Sequence, residues 1–182
     1  MKKIPTIFIR DMSRQPALVT PEWKEGCEWV RDGEGYATLK HDGTCCMIRD
    51  GKLFKRRELK PGQGAPADFE RADYDEETGK TVGWVPVVEG NSDDKYHLEA
   101  FNAVRDLPDG TYELMGPKIQ GNKSGLPAHI LLPHGVEPLG EVPRSFDGLR
   151  VYLDQHQIEG VVWHHPDGRA AKIKRRDFGF RW

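Results

Sequence analysis

Charged residues inside otherwise apolar strand patterns are the first indication of chemistry in this sequence. Five of them stand out: Lys40, Glu113, Glu159, Lys172 and Lys174. Charges in such strands are costly to bury unless they share a partner, such as a phosphate or a metal-bound phosphate. The pattern therefore favours a site that binds phosphate groups.

Alternation along the predicted strands suggests how these charges are arranged. In "AAKIKRR" it places Lys172 and Lys174 on one face, and in "IEGVVWH" it groups Glu159 with Val161 and Trp163. If the two strands form a hairpin, one carboxylate and two ammonium groups can meet across it. We therefore expect the final hairpin of the chain to hold an acid-base cluster.

Each of these patterns has a simpler explanation when it is taken alone. The Asp42-Gly43 pair after Lys40 is a common turn, and "EGVV" could be an edge strand with one exposed acid. The run "KIK" could be a solvated face. Only their occurrence together, in one order along the chain, favours a functional site.

The elements that must position these residues are mainly strands. "YATLK" predicts a strand ending at Lys40, and "TCCMI" and "KLFKR" predict a hairpin through Asp50-Gly51. Further strands are predicted for "TYELMG" and "HILLPHG", and a last hairpin joins "IEGVVWH" to "RAAKIKRR" through "HPDG". This order of strands predicts antiparallel sheets.

Two helices and two irregular regions complete the prediction. Helical spacing runs from Ser92, with its acidic first turn, to Pro108, and a second helix is predicted for "FDGLRVYLDQHQ". The Pro/Gly-rich and then acidic stretch 61–80 predicts a long surface loop. Residues 1–35 are rich in turn formers and predict an irregular arm before a domain of residues 36–182. The fold class predicted from these elements is α+β.

Composition restricts the classes of protein that this chain can represent. Its 182 residues include 37% hydrophobic and 31% charged residues, with a formal net charge of -2, which is typical of a soluble globular protein. The 27 Lys and Arg could still gather on one face for nucleic acid. No apolar run predicts an export signal, a membrane span or a membrane partner.

The cysteines favour a reducing compartment. There are three, which is an odd number, and Cys45 and Cys46 are neighbours that would strain a mutual disulfide. The sequence contains no CxxC pair, so the cysteines do not predict a zinc site. We therefore expect a cytoplasmic protein without a disulfide framework.

The ordered motifs resemble those of the covalent nucleotidyltransferase superfamily, which contains polynucleotide ligases and mRNA capping enzymes. The resemblance runs from about Tyr36 to Lys174. Each motif has a counterpart here, in the order I, Ia, III, IV and V: "KHDG", the pair Arg56-Arg57, "YELMG", "IEGVVW" and "KIK". Within this superfamily, "KHDGTCC", the following hairpin and "HILLPHG" are most similar to compact RNA 5'-to-3' ligases.

The resemblance implies a nucleotidyltransferase domain of ATP-grasp-like ligase type, with antiparallel β-sheets and flanking helices. DNA ligases and capping enzymes commonly carry an arginine where this chain has Cys45, and they continue into an OB-fold, whereas this sequence ends at Trp182. We therefore expect no OB-fold domain. A DNA ligase, a capping-type nucleotidyltransferase and a non-catalytic RNA-binding module remain the alternatives.

The resemblance also assigns roles to individual residues. Lys40 would be the nucleophile that takes AMP from ATP, and Glu159 would help to hold Mg²⁺ or Mn²⁺. The residues expected to bind ATP or AMP are Leu39, Arg56, Arg57, Glu113, Lys172 and Lys174. A lysine amine attacks phosphorus only when it is neutral, and nearby positive charge favours that form.

The substrate implied by the resemblance is RNA with a 5'-phosphate and a 3'-hydroxyl end. AMP would pass from Lys40 to the 5'-phosphate, and the 3'-hydroxyl would then displace it. A side chain in "HILLPH" is the best candidate for stacking on adenine. The oligomeric state cannot be derived from these motifs.

Overall fold

The computed structural model describes residues 2–76 and 78–182, which form two compact units. Among these residues, the first unit contains 2–3 and 42–134, and the second contains 4–41 and 135–182. Both combine antiparallel strands with short helices, as the predicted α+β class requires. No helix in the described part of the chain is long and apolar enough to cross a membrane.

The first unit is built on a six-stranded antiparallel sheet. Its strands are β4 (Thr44–Arg49), β5 (Lys52–Leu59), β6 (Glu70–Asp75), β7 (Lys80–Pro86), β8 (Gly110–Met115) and β9 (Ile130–Pro133). Their order across the sheet is β6-β7-β5-β4-β8-β9. Helix α2 (Lys95–Asn102) packs on one face, and the core between them includes Cys46, Ile48, Leu53, Ala100, Tyr112, Leu114 and Leu131.

The second unit contains two smaller sheets. Strands β3 (Tyr36–Leu39), β10 (Gly160–His164) and β11 (Ala170–Lys174) form one antiparallel sheet in the order β11-β10-β3. Strands β1 (Phe8–Asp11) and β2 (Leu18–Trp23) form the other, and the helices are α1 (Glu28–Arg31) and α3 (Phe146–Gln155). The core includes Ile7, Phe8, Trp29, Val30, Leu149, Leu153, Val161, Trp163 and Ile173.

Several predicted elements are confirmed. The hairpin of β4 and β5 turns at Asp50 and Gly51, whose φ angles are 51° and 68°, as a tight primed turn requires. The last hairpin pairs β10 with β11, and β3 ends at Leu39, next to Lys40. Helix α3 begins after Ser145, whose side chain accepts a hydrogen bond from the Gly148 N–H at 3.2 Å.

The expectation that residues 1–35 are irregular is wrong for this segment's secondary structure. It contains β1, β2 and α1, and Ile7, Phe8 and Val30 lie in the core of the second unit. These elements are four to six residues long, so the turn formers between them hide the apolar pattern. The division into a 1–35 arm and a 36–182 domain stays a prediction.

The prediction of a loop over 61–80 is wrong from Glu70 onward, where β6 begins. This strand lies at the edge of the sheet, carries charged residues and shifts register between Arg71 and Asp73. Charges and bulges are usual in edge strands, and they remove the apolar alternation by which a strand is predicted. Glu77 lies outside the described residues.

The predicted helix from Ser92 to Pro108 is shorter in the structure. Residues Ser92–Asp94 form a 3-10 turn, and α2 ends at Asn102. The Asp94 side chain, which belongs to the predicted acidic first turn, is fully buried against the Lys55 ammonium of β5. That ion pair ties α2 to the sheet.

Candidate functional site

Lys40 lies immediately after β3 in the second unit. Its backbone N–H donates a hydrogen bond to the carbonyl oxygen of Gly160 at 3.0 Å, so the backbone pairing with β10 continues past the end of the strand. The Lys40 side chain is 18% exposed. The amine is thus held near β10 while part of the side chain remains open to solvent.

The Glu159 carboxylate binds two lysine ammonium groups. Its Oε2 lies 2.7 Å from Lys40 Nζ, and its Oε1 lies 3.3 Å from Lys174 Nζ. The glutamate is buried, and the Lys174 side chain is only 13% exposed. Two positive charges beside one negative charge leave a net positive cluster, which suits phosphate oxygens.

The pKa of Lys174 is lowered from its usual range. Burial is the main cause, because it penalises the charged ammonium, and the nearby Lys40 charge acts in the same direction. Glu159 opposes this change. A bound anion would therefore stabilise the charged form of Lys174.

Backbone contacts fix this cluster. The Lys174 N–H donates to Asp177 Oδ2 at 2.9 Å, and the Arg175 N–H donates to the Glu159 carbonyl oxygen at 2.8 Å. Asp177 also accepts from Arg10 at 2.8 Å. Sequence analysis missed Asp177, since its position three residues after Lys174 has meaning only once the 3-10 turn Arg175–Phe178 is known.

The expected grouping of Glu159 with Val161 and Trp163 is wrong. Strand β10 begins at Gly160, so strand alternation does not govern the preceding glutamate. Val161 and Trp163 face the core, whereas the Glu159 carboxylate meets the lysines. The expected meeting of one carboxylate with two ammonium groups does occur, but the second ammonium belongs to Lys40.

Lys172 and Leu39 occupy different faces of the three-stranded sheet. Lys172 pairs with Val162, which pairs with Thr38, and alternation places Lys172 on the face that Lys174 shares. Leu39 pairs with Val161, so its side chain lies on the core side of the sheet. Its backbone N–H donates a hydrogen bond to the Glu137 carbonyl oxygen at 3.3 Å. Their proposed contacts with ATP stay predictions.

Glu113 forms a second cluster, in the first unit. It lies on β8 and is 9% exposed. Its Oε1 accepts a hydrogen bond from the Gly43 N–H at 3.1 Å, and its Oε2 lies 2.9 Å from His134 Nε2. A Cβ atom at Gly43 would lie 2.2 Å from the Leu114 carbonyl oxygen, so this approach requires glycine.

The arginine pair divides between the two faces of the large sheet. Arg56 pairs with Trp84 and Arg57 with Gly83, so their side chains point in opposite directions. Arg56 lies beside the Cys45 thiol, on the Glu113 side of the sheet. Arg57 is exposed on the side of Lys55. The structure therefore brings Arg56, but not Arg57, toward Glu113.

The histidines of "HILLPH" already have polar partners. His129 Nδ1 lies 2.9 Å from Glu99 Oε1, and its ring stacks on Tyr96 with centroids 4.5 Å apart. His134 Nδ1 lies 3.0 Å from Thr111 Oγ1. Sequence analysis missed the pairing of His134 with Glu113, which depends on the register of β8 and β9. Adenine stacking by this segment stays a prediction.

A family model described as RNA ligase 1 matches residues 86–182, which is more than half of the chain. The chain belongs to the RNA ligase 1 family. The matched segment contains Glu113, Glu159, Lys172 and Lys174. The resemblance to RNA ligases inferred from the motifs is thereby confirmed at the level of the family.

Individual members of the RNA ligase 1 family support this assignment. RNA ligase 1 of Mus musculus is 26% identical, in an alignment that covers the whole chain and 81% of the relative. For Danio rerio the identity is 26%, with 80% of this chain and 68% of the relative covered. RNA ligase 1 of Pongo abelii is 29% identical, in an alignment that covers 80% of this chain and 67% of the relative.

Proposed function

We propose that this chain is an ATP-dependent RNA ligase that joins a 5'-phosphate end to a 3'-hydroxyl end. In this proposal Lys40 carries AMP as a covalent intermediate. Membership of the RNA ligase 1 family supports the ligase class and the RNA substrate. The order of motifs from Lys40 to Lys174, which resembles covalent nucleotidyltransferases, supports the lysyl-AMP route.

The observation that carries the proposal is the contact of Lys40 with Glu159. The 2.7 Å hydrogen bond orients the amine, and Lys174 adds a second ammonium on the other carboxylate oxygen. Lysines that serve only solubility are exposed, but Lys40 is largely buried beside another positive charge. This environment is typical of a lysine that reacts or binds an anion.

The proposed reaction has three steps. The neutral Lys40 amine attacks the α-phosphorus of ATP, a P–N bond forms, and pyrophosphate leaves with the electrons of the broken P–O bond. An oxygen of the RNA 5'-phosphate then attacks the same phosphorus and displaces Lys40, which recovers its proton. Finally the 3'-hydroxyl loses its proton to solvent and attacks the RNA 5'-phosphorus, a new P–O bond forms, and AMP leaves with the electrons of the broken P–O bond. Lys174 would stabilise the negative charge that develops on phosphate oxygens.

Glu159 fits the role of a ligand for Mg²⁺ or Mn²⁺. These ions commonly use one or two carboxylates together with substrate phosphate oxygens, and Glu159 offers one buried carboxylate beside the reacting amine. When bound, the ion would neutralise phosphate charge. Glu159 would then exchange an ammonium partner for the ion.

The remaining contacts with the nucleotide follow from the resemblance. Glu113 would contact the ribose, and Lys172 would bind a phosphate from the same sheet face as Lys174. Arg56, Arg57 and Leu39 are further proposed contacts. Of these three residues, Arg56 has the best support as a nucleotide contact, because its side chain lies on the same sheet face as Glu113.

The test is covalent labelling with ATP that carries the label in its α-phosphate. Wild-type protein is incubated with Mg²⁺ or Mn²⁺ and analysed by denaturing electrophoresis. We expect a labelled band for wild type and none for Lys40→Ala, with unchanged circular dichroism. The control is Lys80→Ala, which removes a lysine that also pairs with a glutamate but whose side chain is 37% exposed. We expect the Lys80→Ala variant to be labelled as fully as wild type.

Two further arms make the result specific. Glu159→Gln keeps the size of the side chain, so it should fold, and its labelling should fall in Mg²⁺ with partial recovery at high Mn²⁺. Labelled wild type should pass AMP to RNA that bears a 5'-phosphate and not to RNA with a 5'-hydroxyl. Undiminished labelling of Lys40→Ala would overturn the assigned nucleophile, and absence of wild-type labelling would overturn the lysyl-AMP route.

A further inference from the structure

Three possible metal ligands converge on one face of the large sheet in the first unit. They are the Cys45 thiol of β4, the Glu113 carboxylate of β8 and the His134 imidazole that follows β9. Each offers one ligand atom, and these atoms all lie within 4.8 Å of one another. Cys45 pairs directly with Glu113 across the two strands, so the sheet itself holds two of the three donors.

Contacts around the cluster fix the directions of the donor atoms. Glu113 Oε1 is held by the Gly43 N–H, while Oε2 points to His134 Nε2 at 2.9 Å. His134 Nδ1 lies 3.0 Å from Thr111 Oγ1. With the Nδ1 proton donated to Thr111, Nε2 is the nitrogen available to a metal, and such a second contact is usual for histidine ligands.

We propose that Cys45, Glu113 and His134 form a binding site for a divalent cation of the zinc class. Thiolate, imidazole and carboxylate are the three donor types that Zn²⁺ uses in proteins, at roughly 2.0–2.3 Å. Mg²⁺ prefers oxygen donors alone, so this site is chemically distinct from the one proposed at Glu159. Three protein ligands leave a fourth position open for water or an exchangeable ligand.

Charge and proton balance are consistent with this ion. Three Zn–ligand bonds form, and the Cys45 thiol proton leaves to solvent as the Zn–S bond replaces the S–H bond. The Zn–N and Zn–O bonds replace the contact between His134 Nε2 and Glu113 Oε2. The ion with one thiolate and one carboxylate is then neutral. The Arg56 guanidinium lies beside the thiol and would donate to the thiolate sulfur.

Motif spacing could not reveal this site. The three ligands come from separate strands and are separated by 68 and 21 residues along the chain, as their numbers show. The absence of a CxxC pair therefore does not argue against it. Strand register alone brings Cys45, Glu113 and His134 together.

A metal ion bound at Cys45, Glu113 and His134 would affect catalysis, and this part of the inference rests on the proposed function. Glu113 is the residue proposed to contact the ribose of ATP. A zinc-class ion that holds its Oε2 would compete with that contact. We therefore expect Zn²⁺ to inhibit formation of the lysyl-AMP adduct, and a chelator to restore it.

Direct binding is tested with Co²⁺ and Zn²⁺ on the full chain without ATP. Co²⁺ should produce the near-ultraviolet charge-transfer band of a cobalt thiolate, saturating at one ion per chain. Zn²⁺ should displace it, and excess Mg²⁺ should not. Cys45→Ser should abolish the band, and His134→Gln should weaken Zn²⁺ binding by about 100-fold. Circular dichroism checks that each variant is folded.

The matched control is Cys46→Ala. Cys46 is the next residue of β4, but it faces the core on the other side of the sheet. This variant should retain the cobalt band and the affinity for Zn²⁺. Absence of the band from folded wild type, or unchanged Zn²⁺ affinity in both Cys45→Ser and His134→Gln, would overturn the proposal.

A catalytic readout separates this proposal from the proposed function. Cys45→Ser should label with ATP as wild type does but should no longer be inhibited by Zn²⁺. If wild type binds Co²⁺ through Cys45 but never labels, the ligase mechanism fails and the metal site stands. If labelling occurs without a cobalt band, the metal site fails and the mechanism stands.

Discussion

At the scale of single residues, the charged groups are stabilised by sharing partners. Glu159 is buried between Lys40 and Lys174, so removing its charge would leave two mostly buried ammonium groups without their anion. Breaking a buried pair in this way commonly costs about 3–5 kcal/mol. Both Glu159→Gln and Glu159→Ala remove this charge, but glutamine keeps the size of the side chain and an amide oxygen that can accept from the lysines, so Glu159→Gln is the better test of metal binding.

The cysteines give a prediction about pH. Burial is the main cause that raises the pKa of Cys45 to about 12, and it also raises the pKa of Cys46 and Cys27. Alkylation requires the thiolate. At pH 8 we expect iodoacetamide to modify the folded protein very slowly and the denatured protein at three sites, as counted by intact mass spectrometry.

The same shifts predict the direction of the change in stability. Above the unfolded thiol pKa of about 8.5, the unfolded chain loses protons that the folded chain keeps. The free energy of unfolding should therefore fall as the pH rises from 8.5 toward the pKa values of the thiols in the folded protein. For the alkylation experiment at pH 8, rapid modification of the folded wild type by iodoacetamide would contradict the burial of these thiols.

At the scale of elements, close contact between β10 and β11 brings the Lys174 backbone to the start of β10. A Cβ atom on Gly160 would lie 2.2 Å from the Ile173 carbonyl oxygen and 2.8 Å from Lys174 Cα. Neither atom can move without disturbing the pairing of the two strands. Gly160 thus allows the approach that places Glu159 and Lys174 together.

Gly160→Ala should destabilise the protein by about 2 kcal/mol or more, because the added methyl group overpacks the strand pair. The measurement is urea unfolding followed by circular dichroism. Gly140→Ala is the control, since a Cβ atom there meets open space and its φ is not in the left-handed region. Equal stability of the two variants would show that the strands separate more easily than the structure indicates.

The attachment of α2 to the large sheet gives a second prediction at this scale. Asp94 is fully buried, and its carboxylate accepts hydrogen bonds from Lys55, the Val88 N–H at 3.0 Å and the Asn91 amide at 3.1 Å. Asp94→Ala should cost about 3–5 kcal/mol of unfolding free energy, because Lys55 loses its buried partner.

The control is an exposed ion pair of the same sheet. Arg49 and Glu70 are joined at 2.7 Å, and their side chains are 44% and 48% exposed. Glu70→Ala should therefore change the free energy of unfolding by less than about 1 kcal/mol. A loss for Asp94→Ala as small as that for Glu70→Ala would mean that α2 does not depend on this ion pair.

At the scale of the whole molecule, each unit has its own hydrophobic core. One core lies between the six-stranded sheet and α2, and the other packs the three-stranded sheet against α3 and the N-terminal strands. The chain passes between the units at residues 3–4, at 41–42 and again at 134–135. Residues with proposed roles in ligation occur in both units, such as Glu113 in the first and Lys40 in the second.

The substrate prediction belongs to this scale. RNA differs from DNA by its 2'-hydroxyls and its A-form shape, and phosphate contacts make binding of either one sensitive to salt. We expect ends whose 3'-hydroxyl strand is RNA to be sealed at least about tenfold faster than all-DNA ends. Ligation of substrates with ribose and deoxyribose exchanged on each side of the break measures this. Equal rates for all-RNA and all-DNA substrates would contradict an RNA preference but not the nucleotidyltransferase mechanism.

The sequence by itself determined the local elements and the order of the motifs. Apolar alternation predicted β3, β10 and β11, and the Asp50-Gly51 turn predicted the first hairpin, because these signals depend on neighbouring residues. The same motifs identified the ligase family, which the family match confirms. Short or charged elements such as β1, β2 and β6 escaped prediction, since their stability comes from tertiary packing and edge pairing.

Only the tertiary structure decided which side chains meet. Glu159 binds Lys40 across 119 residues of sequence, and His134 binds Glu113 across 21. Strand register and the exact start of β10 set these contacts, and a change of one residue would turn a side chain to the other face. The pattern of charges predicted a phosphate site, but only the pairing of strands showed that Lys40, Glu159 and Lys174 meet and that Cys45 lies beside Glu113.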